Sequence, residues 1–251
     1  MDWKRFTFIA LIIIVLFGVV VMVGQVKQPP LLIITSMLAT SIAVATPLTL
    51  GALSGVFCER AGVVNIGIEG MMLTAAFFGW LGGIYMFQIF GMEAGISIAL
   101  GVLFAILTGG LMALLHAALS ITFKVDQIIG GTVINILAVG LTGFLNRQLF
   151  FGKGSVFGGS VPSSPGVLPT IHIPLTELFA PICGSSATCL ENVQAINRVF
   201  DQKPIAMGAI LLVFISHYIL FNTRWGLRTR AVGEHPQAAD TVGINVTKMR
   251  Y

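Results

Sequence analysis

Three polar residues sit inside long apolar surroundings: Asn65, Glu69 and Asn135. An ionisable group within the hydrocarbon is costly to keep there, and by default it marks a solute or ion path. These three are therefore the candidates for a translocation pathway. Each also has a purely structural reading. Asn65 suits the cap of the helix that follows it, its side chain bonding free backbone N–H groups. Glu69 lies in the first turn of that helix, where the helix dipole favours a carboxylate. Amides inside membrane helices often serve as packing glue, which covers Asn135. Other chemistry finds little support. The four histidines, His116, His172, His217 and His235, are scattered and show no metal-ligand spacing such as His-Glu-x-x-His. His116 and His217 read as packed or interfacial. Asp126 and Asp201 stand apart, without an Asp-x-x-Asp pattern. No Gly-x-x-x-x-Gly-Lys-Ser/Thr segment is present to cradle nucleotide phosphates. No catalytic, cofactor-binding or metal-ligating residue is assigned.

The elements that must position these residues are membrane helices. Of 251 residues, 56% are hydrophobic and 10% charged, with a mean hydropathy of +0.94. Soluble domains carry about 25% charged residues. A helix crosses the bilayer with roughly 20 mainly apolar residues, and uncharged runs of that length recur. They are Phe6–Val26, Leu31–Phe57, Ile66–Ile89, Ala94–Ile121, Gln127–Leu145 and Pro204–Phe221. The expected fold is all-α, a polytopic bundle of about six spans. Phe6–Val26 is long for a signal peptide and lacks a small-residue cleavage site, so it reads as a retained anchor. Pro47 should kink, break or tilt the second span. Gly79, Gly82 and Gly83 lie in the third span, and the Gly109-Gly110 pair in the fourth permits close helix packing.

Residues 146–203 are rich in Gly, Pro and Ser and form a loop or lid outside the bilayer. The net charge of +4 and pI near 9.2 come from cations between apolar runs, with no basic stripe of the kind nucleic acid needs. Lys4, Arg5, Arg60, Lys124, Arg224, Arg228, Arg230, Lys248 and Arg250 fall on one side if the N-terminus is cytoplasmic, which satisfies the positive-inside rule. Cys183 and Cys189 then face the oxidising side, where a disulfide or two free thiols are the alternatives. Cys58 falls on the reducing side.

The last polar stretch, residues 222–251, leaves a span, makes a basic turn and offers a short helix. His235-Pro236 suits a helix start, and Gly243 its C-terminal end. Ala238 and Ala239 are expected to be exposed there, as a small-residue knob for a partner protein.

Two segments carry a family resemblance over about Leu48 to Arg250. Glu59–Leu73 (ERAGVVNIGIEGMML) followed by Thr223–Ile244 (TRWGLRTRAVGEHPQAADTVGI) resembles the permease subunits of bacterial ATP-binding cassette (ABC) importers. The likeness is to the nucleoside and simple-sugar type, related to ribose-type and branched-chain amino acid permeases. It implies that 222–251 is a cytoplasmic coupling segment, in agreement with the charge count, which places 146–203 extracytoplasmic; one permease domain is expected over 1–251. Docking to an ATPase falls on Gly233, Glu234, Pro236, Ala238, Ala239, Asp240 and Gly243. The implied partners are ABC ATP-binding subunits, a second permease subunit, an extracytoplasmic solute-binding protein and the lipid bilayer, in a bacterial cytoplasmic membrane. Members of the family continue with further spans, so a C-terminal truncation is expected. A nucleoside is the first substrate expected and a simple sugar the next. Phe77, Phe78, Trp80, Asn135 and Asn146 are available for stacking and hydrogen bonds. The alternatives are an ion-coupled secondary transporter, with Glu69 as its carboxylate, or an intramembrane lipid-modifying enzyme.

Overall fold

The computed structural model describes Gly18 and residues 29–151, 154–157, 159, 162–183 and 186–251. The first apolar run, Phe6–Val26, lies outside the described residues apart from Gly18. Among the described residues ten α-helices follow one another: α1 (Pro30–Arg60), α2 (Ile68–Ile84), α3 (Ala94–Ala117), α4 (Gln127–Asn146), α5 (Leu175–Cys183), α6 (Ala187–Phe200), α7 (Pro204–Asn222), α8 (Arg224–Glu234), α9 (Pro236–Thr241) and α10 (Val246–Arg250). Three of them run on into a wide π-helical turn, Tyr85–Ile89 after α2, Ala118–Thr122 after α3 and Arg147–Phe151 after α4. With those extensions, five of the described helices are long and apolar enough to cross a membrane: α1, α2, α3, α4 and α7. They coincide with the second to sixth apolar runs. The fifth run is longer than hydropathy implies, because the helix continues through Arg147 to Phe151.

Pro47 does not break α1. The helix is continuous across it. Proline removes one N–H from the ladder, and in lipid every backbone group must find a partner within the protein. Hydroxyls along the same helix add bonds to its carbonyls: Thr35 to Leu31 at 2.8 Å, Thr40 to Ser36 at 2.9 Å, and Thr46 to Ile42 at 2.9 Å.

The described residues group into two compact units. The first takes the start of α1 up to Thr46 and residues 170–207. Here the structure resolves helices in what composition marks as a loop. α5 and α6 are joined by a Cys183–Cys189 disulfide. Ile171 pairs with Gln202 in a single antiparallel bridge, and the Gln202 side-chain amide donates to the Ala39 carbonyl at 3.3 Å. His172 Nδ1 lies 3.0 Å from Asp201 Oδ2.

The second unit holds residues 47–169 and 208–251. Small residues set its helix spacing. Gly79 and Gly83 of α2 face Gly101 and Ala105 of α3, so that a methyl on Gly79 would lie 2.7 Å from the Ala105 Cβ. A methyl on Gly101 would lie 2.8 Å from the Gly79 carbonyl. Both helices thus carry a small-x-x-x-small stripe, which lets backbones approach in lipid. Gly109 meets Ala75, whereas Gly110 has open space beside it. Beyond this stripe Phe150 is fully buried, with Trp80 and Phe157 rings each 5.1 Å away. Most large apolar residues of the spans, such as Ile106, Leu111 and Phe214, are exposed on the protein surface, as lipid-facing side chains must be.

A polar-clamped helix start beside an apolar cavity

The first turn of α2 carries free N–H groups that need acceptors. Asn65 does not supply the helix cap expected of it. Gly67 occupies the N-cap position, and Asn65 Oδ1 accepts instead from the Gly67 N–H at 3.0 Å, bracing the turn before the helix. The acceptor for the Gly70 N–H comes from another helix: Asn135 Oδ1 of α4, at 2.7 Å. The other end of the same amide, Asn135 Nδ2, donates to the Ile66 carbonyl at 3.1 Å. One side chain therefore satisfies a donor and an acceptor on either side of the helix start. The approach that permits this is glycine-lined. A methyl on Gly131 would lie 2.8 Å from the Gly67 nitrogen, and one on Gly70 would lie 2.8 Å from Asn135 Cα.

The preceding turn, Ala61–Asn65, is held as tightly. Gly62 has φ +75°, a conformation that suits glycine. The Val64 N–H donates to Gln127 Oε1 at 2.6 Å, and His116 Nε2 lies 3.4 Å from the Val64 carbonyl. His116 is buried, in keeping with a packed residue.

A cavity of about 1280 Å³ lies against this arrangement. α1 contributes Leu48, Gly51, Ala52, Gly55, Val56 and Glu59; α2 contributes Ile68, Glu69, Gly70, Met72 and Leu73; α4 contributes Asn135, Ile136, Val139 and Gly140. Its walls are mainly apolar, with two carboxylates and one amide. Ligand pockets are commonly built this way, mainly apolar with a few polar groups that fix orientation. Of the three sequence candidates, Glu69 and Asn135 line this cavity. Asn65 lines a separate one of about 350 Å³, with Cys58, His116, Trp225 and Arg250. Phe77, Phe78, Trp80 and Asn146 are not among the larger cavity's walls. Phe77 and Phe78 meet edge to face, and Trp80 packs on Phe150. Glu59 was missed by sequence reading because it sits in a charged turn that hydropathy assigns to the surface.

The C-terminal segment is more structured than a basic turn and one short helix. α8 starts at Thr223, whose hydroxyl accepts from the Gly226 N–H at 3.1 Å. It buries Gly226, Thr229 and Val232 and exposes Arg224, Leu227 and Arg228. α9 begins with Pro236 in its first turn and ends at Thr241 with Val242 as its C-cap, followed by Gly243 at φ +81°. The Ile244 N–H returns to the Ala239 carbonyl at 3.1 Å. Ala239 is buried at 4% exposure, which corrects the expectation of two exposed alanines. The exposed face of α9 carries Ala238 and Thr241, continued by Val242. Glu234 and Asp240 are also exposed, while Gly233 packs against Arg60. Among the described residues no group of three His, Cys, Asp or Glu gathers to hold a metal.

Similar proteins share most of this chain. The guanosine ABC transporter permease protein NupQ of Bacillus subtilis is 40% identical over 222 residues, 87% of this chain and 62% of the relative. The nucleoside ABC transporter permease protein NupC of Lactococcus lactis is 35% identical over 85% of this chain and 60% of its own. The putative glucose ABC transporter permease protein TsgC13 of Haloferax volcanii is 33% identical over 86% and 56%. The chain thus spans about 60% of the length of these curated relatives. No solved structure matches it. The family described as branched-chain amino acid transport system / permease component matches residues 37–251. Matched by that family over residues 37–251, and with five described helices long and apolar enough to cross a membrane, the chain belongs to that permease family.

Proposed function

We propose that this chain is the membrane-spanning permease subunit of an ABC importer, that it carries a nucleoside, and that it hydrolyses no ATP itself. The observation that carries the reading is 40% identity over 87% of the chain to a guanosine permease. The 1280 Å³ cavity supports it, having room for a solute of nucleoside size and an amide and carboxylates to orient one. Glu69 and Asn135 then face the pathway, and Asn65 braces the turn beside it. Glucose is the second reading, favoured by the relative named for it.

In this account the N-terminus is cytoplasmic, residues 146–203 are extracytoplasmic and residues 222–251 are cytoplasmic, in a bacterial inner membrane. A solute-binding protein delivers ligand to the outer face, and a second permease subunit completes the pathway. ATP-binding subunits engage α9 and its flanks, from Gly233 to Gly243. In this reading ATP hydrolysis belongs to those partners, and the 251 residues carry no phosphate-cradling Gly-Lys-Ser/Thr segment of their own. The test is uptake by the full-length permease, reconstituted with its ATPase subunits, second permease and binding protein. Radiolabelled guanosine should accumulate only with ATP on the ATPase side and should be displaced by unlabelled guanosine but not by glucose. Uptake driven by an ion gradient without ATP would refute the reading, and preference for glucose would move the substrate to the second one.

A further inference from the structure

The turn between α1 and α2 is gripped from two sides. On one side stands the C-terminal segment. A methyl on Gly233 would collide with the Arg60 carbonyl oxygen and lie 2.9 Å from its carbon and 3.1 Å from the Gly62 nitrogen. Backbone therefore meets backbone, with no flexible side chain between to absorb a displacement. Arg250 adds a bond from Nε to the Ala61 carbonyl at 3.3 Å. On the other side stand the membrane helices. Gln127 of α4 accepts from the Val64 N–H, His116 of α3 lies against the Val64 carbonyl, and Asn135 of α4 binds Ile66 and Gly70. Glu69, on the cavity wall, lies between those last two residues.

We propose that residues 60–66 form a relay through which the C-terminal segment moves the start of α2, and with it the Glu69 wall of the cavity. The inference rests on the proposed ATP-driven transport. Ala61 and Val63 are buried within the grip, so the turn cannot shift without dragging its neighbours. Gly233 is a positioning residue in this account. It lets the segment press directly on the turn rather than through a compressible side chain. Gln127 is the counter-hold that makes the far end of the turn follow.

The test uses the full assembled complex in proteoliposomes and reads solute taken up per ATP hydrolysed, which a merely structural defect leaves unchanged in the assembled fraction. Gly233→Ala forces the segment off the turn, and Gln127→Leu removes the acceptor for Val64. Each should lower the ratio about fivefold, the scale of an ordinary coupling energy. Because both act on one relay, the double variant should lose about fivefold again in total, not the roughly 25-fold of independent sites. Arg250→Met, which deletes only the donor to Ala61, replaces Gly233→Ala in the cycle if that variant fails to assemble. Gly208→Ala, with open space around its new methyl, should leave the ratio unchanged. Unchanged ratios in the single variants, or multiplicative losses in the double, would overturn the relay. Wild type without ATP-driven uptake would instead overturn the proposed function.

Discussion

Asn135 does at residue scale what Asn65 was expected to do. An asparagine just ahead of a helix is the local cap signal, and Asn65 has it. The Gly70 N–H is nevertheless taken by an amide 65 positions later in the chain. No local pattern reveals a cap supplied from another helix, so the polar character of Asn135 was legible and its partner was not. Asn135→Leu leaves the Gly70 N–H and the Ile66 carbonyl without their partner. The expected cost is about 1–3 kcal/mol, seen as a lower melting temperature of the detergent-solubilised permease. An unchanged melting temperature would show that neither bond holds the helix start. The exposure of Ala238 and burial of Ala239 carry the same lesson. Adjacent alanines look identical in sequence, and only the packing of α9 separates them.

The spans are the most legible elements, because lipid demands long apolar runs and little else has them. Less legible are α5, α6 and α8. α5 carries Pro181 inside it, α6 mixes polar and apolar residues, and the arginines of α8 mask the buried positions Gly226, Thr229 and Val232. The contact of α2 with α3 depends on Gly79 and Gly101. Replacing either by leucine overfills a backbone-to-backbone contact and should cost about 1–3 kcal/mol, measured as thermal stability in detergent. Gly110→Ala, on the same helix as Gly101 but with open space beside it, should be neutral. Equal losses at Gly101 and Gly110 would contradict the packing. In the other unit, the Cys183–Cys189 link closes a short loop between α5 and α6. Denatured without reductant, the membrane-extracted protein should alkylate at Cys58 but not at Cys183 or Cys189, and at each of these after reduction. Serine at Cys183 should destabilise that unit by about 2 kcal/mol.

At the scale of the whole molecule, the proposed orientation, with the N-terminus and residues 222–251 cytoplasmic, is testable by labelling. Cysteine introduced at Asn192, exposed on α6, should react with a membrane-impermeant maleimide in intact cells. Cysteine at Gln237, exposed on α9, should react only after permeabilisation. The reverse pattern would invert the topology and remove the coupling segment from the cytoplasm. The family, and the second to sixth apolar runs, were readable from two motifs and the hydropathy alone. The cavity was not, because its walls come from three helices whose spacing is set by glycines. Glu59 joined it only when the end of α1 was seen to face the start of α2.

In the proposed mechanism an ATPase drives this permease through α9. Cysteine at Ala238, exposed on that helix, tests it most directly when paired with a cysteine series along the ATPase groove. In an assembled, transporting complex the account predicts a disulfide cross-link between Ala238→Cys and the ATPase subunit. Complete lack of cross-linking in a complex that still transports would contradict it.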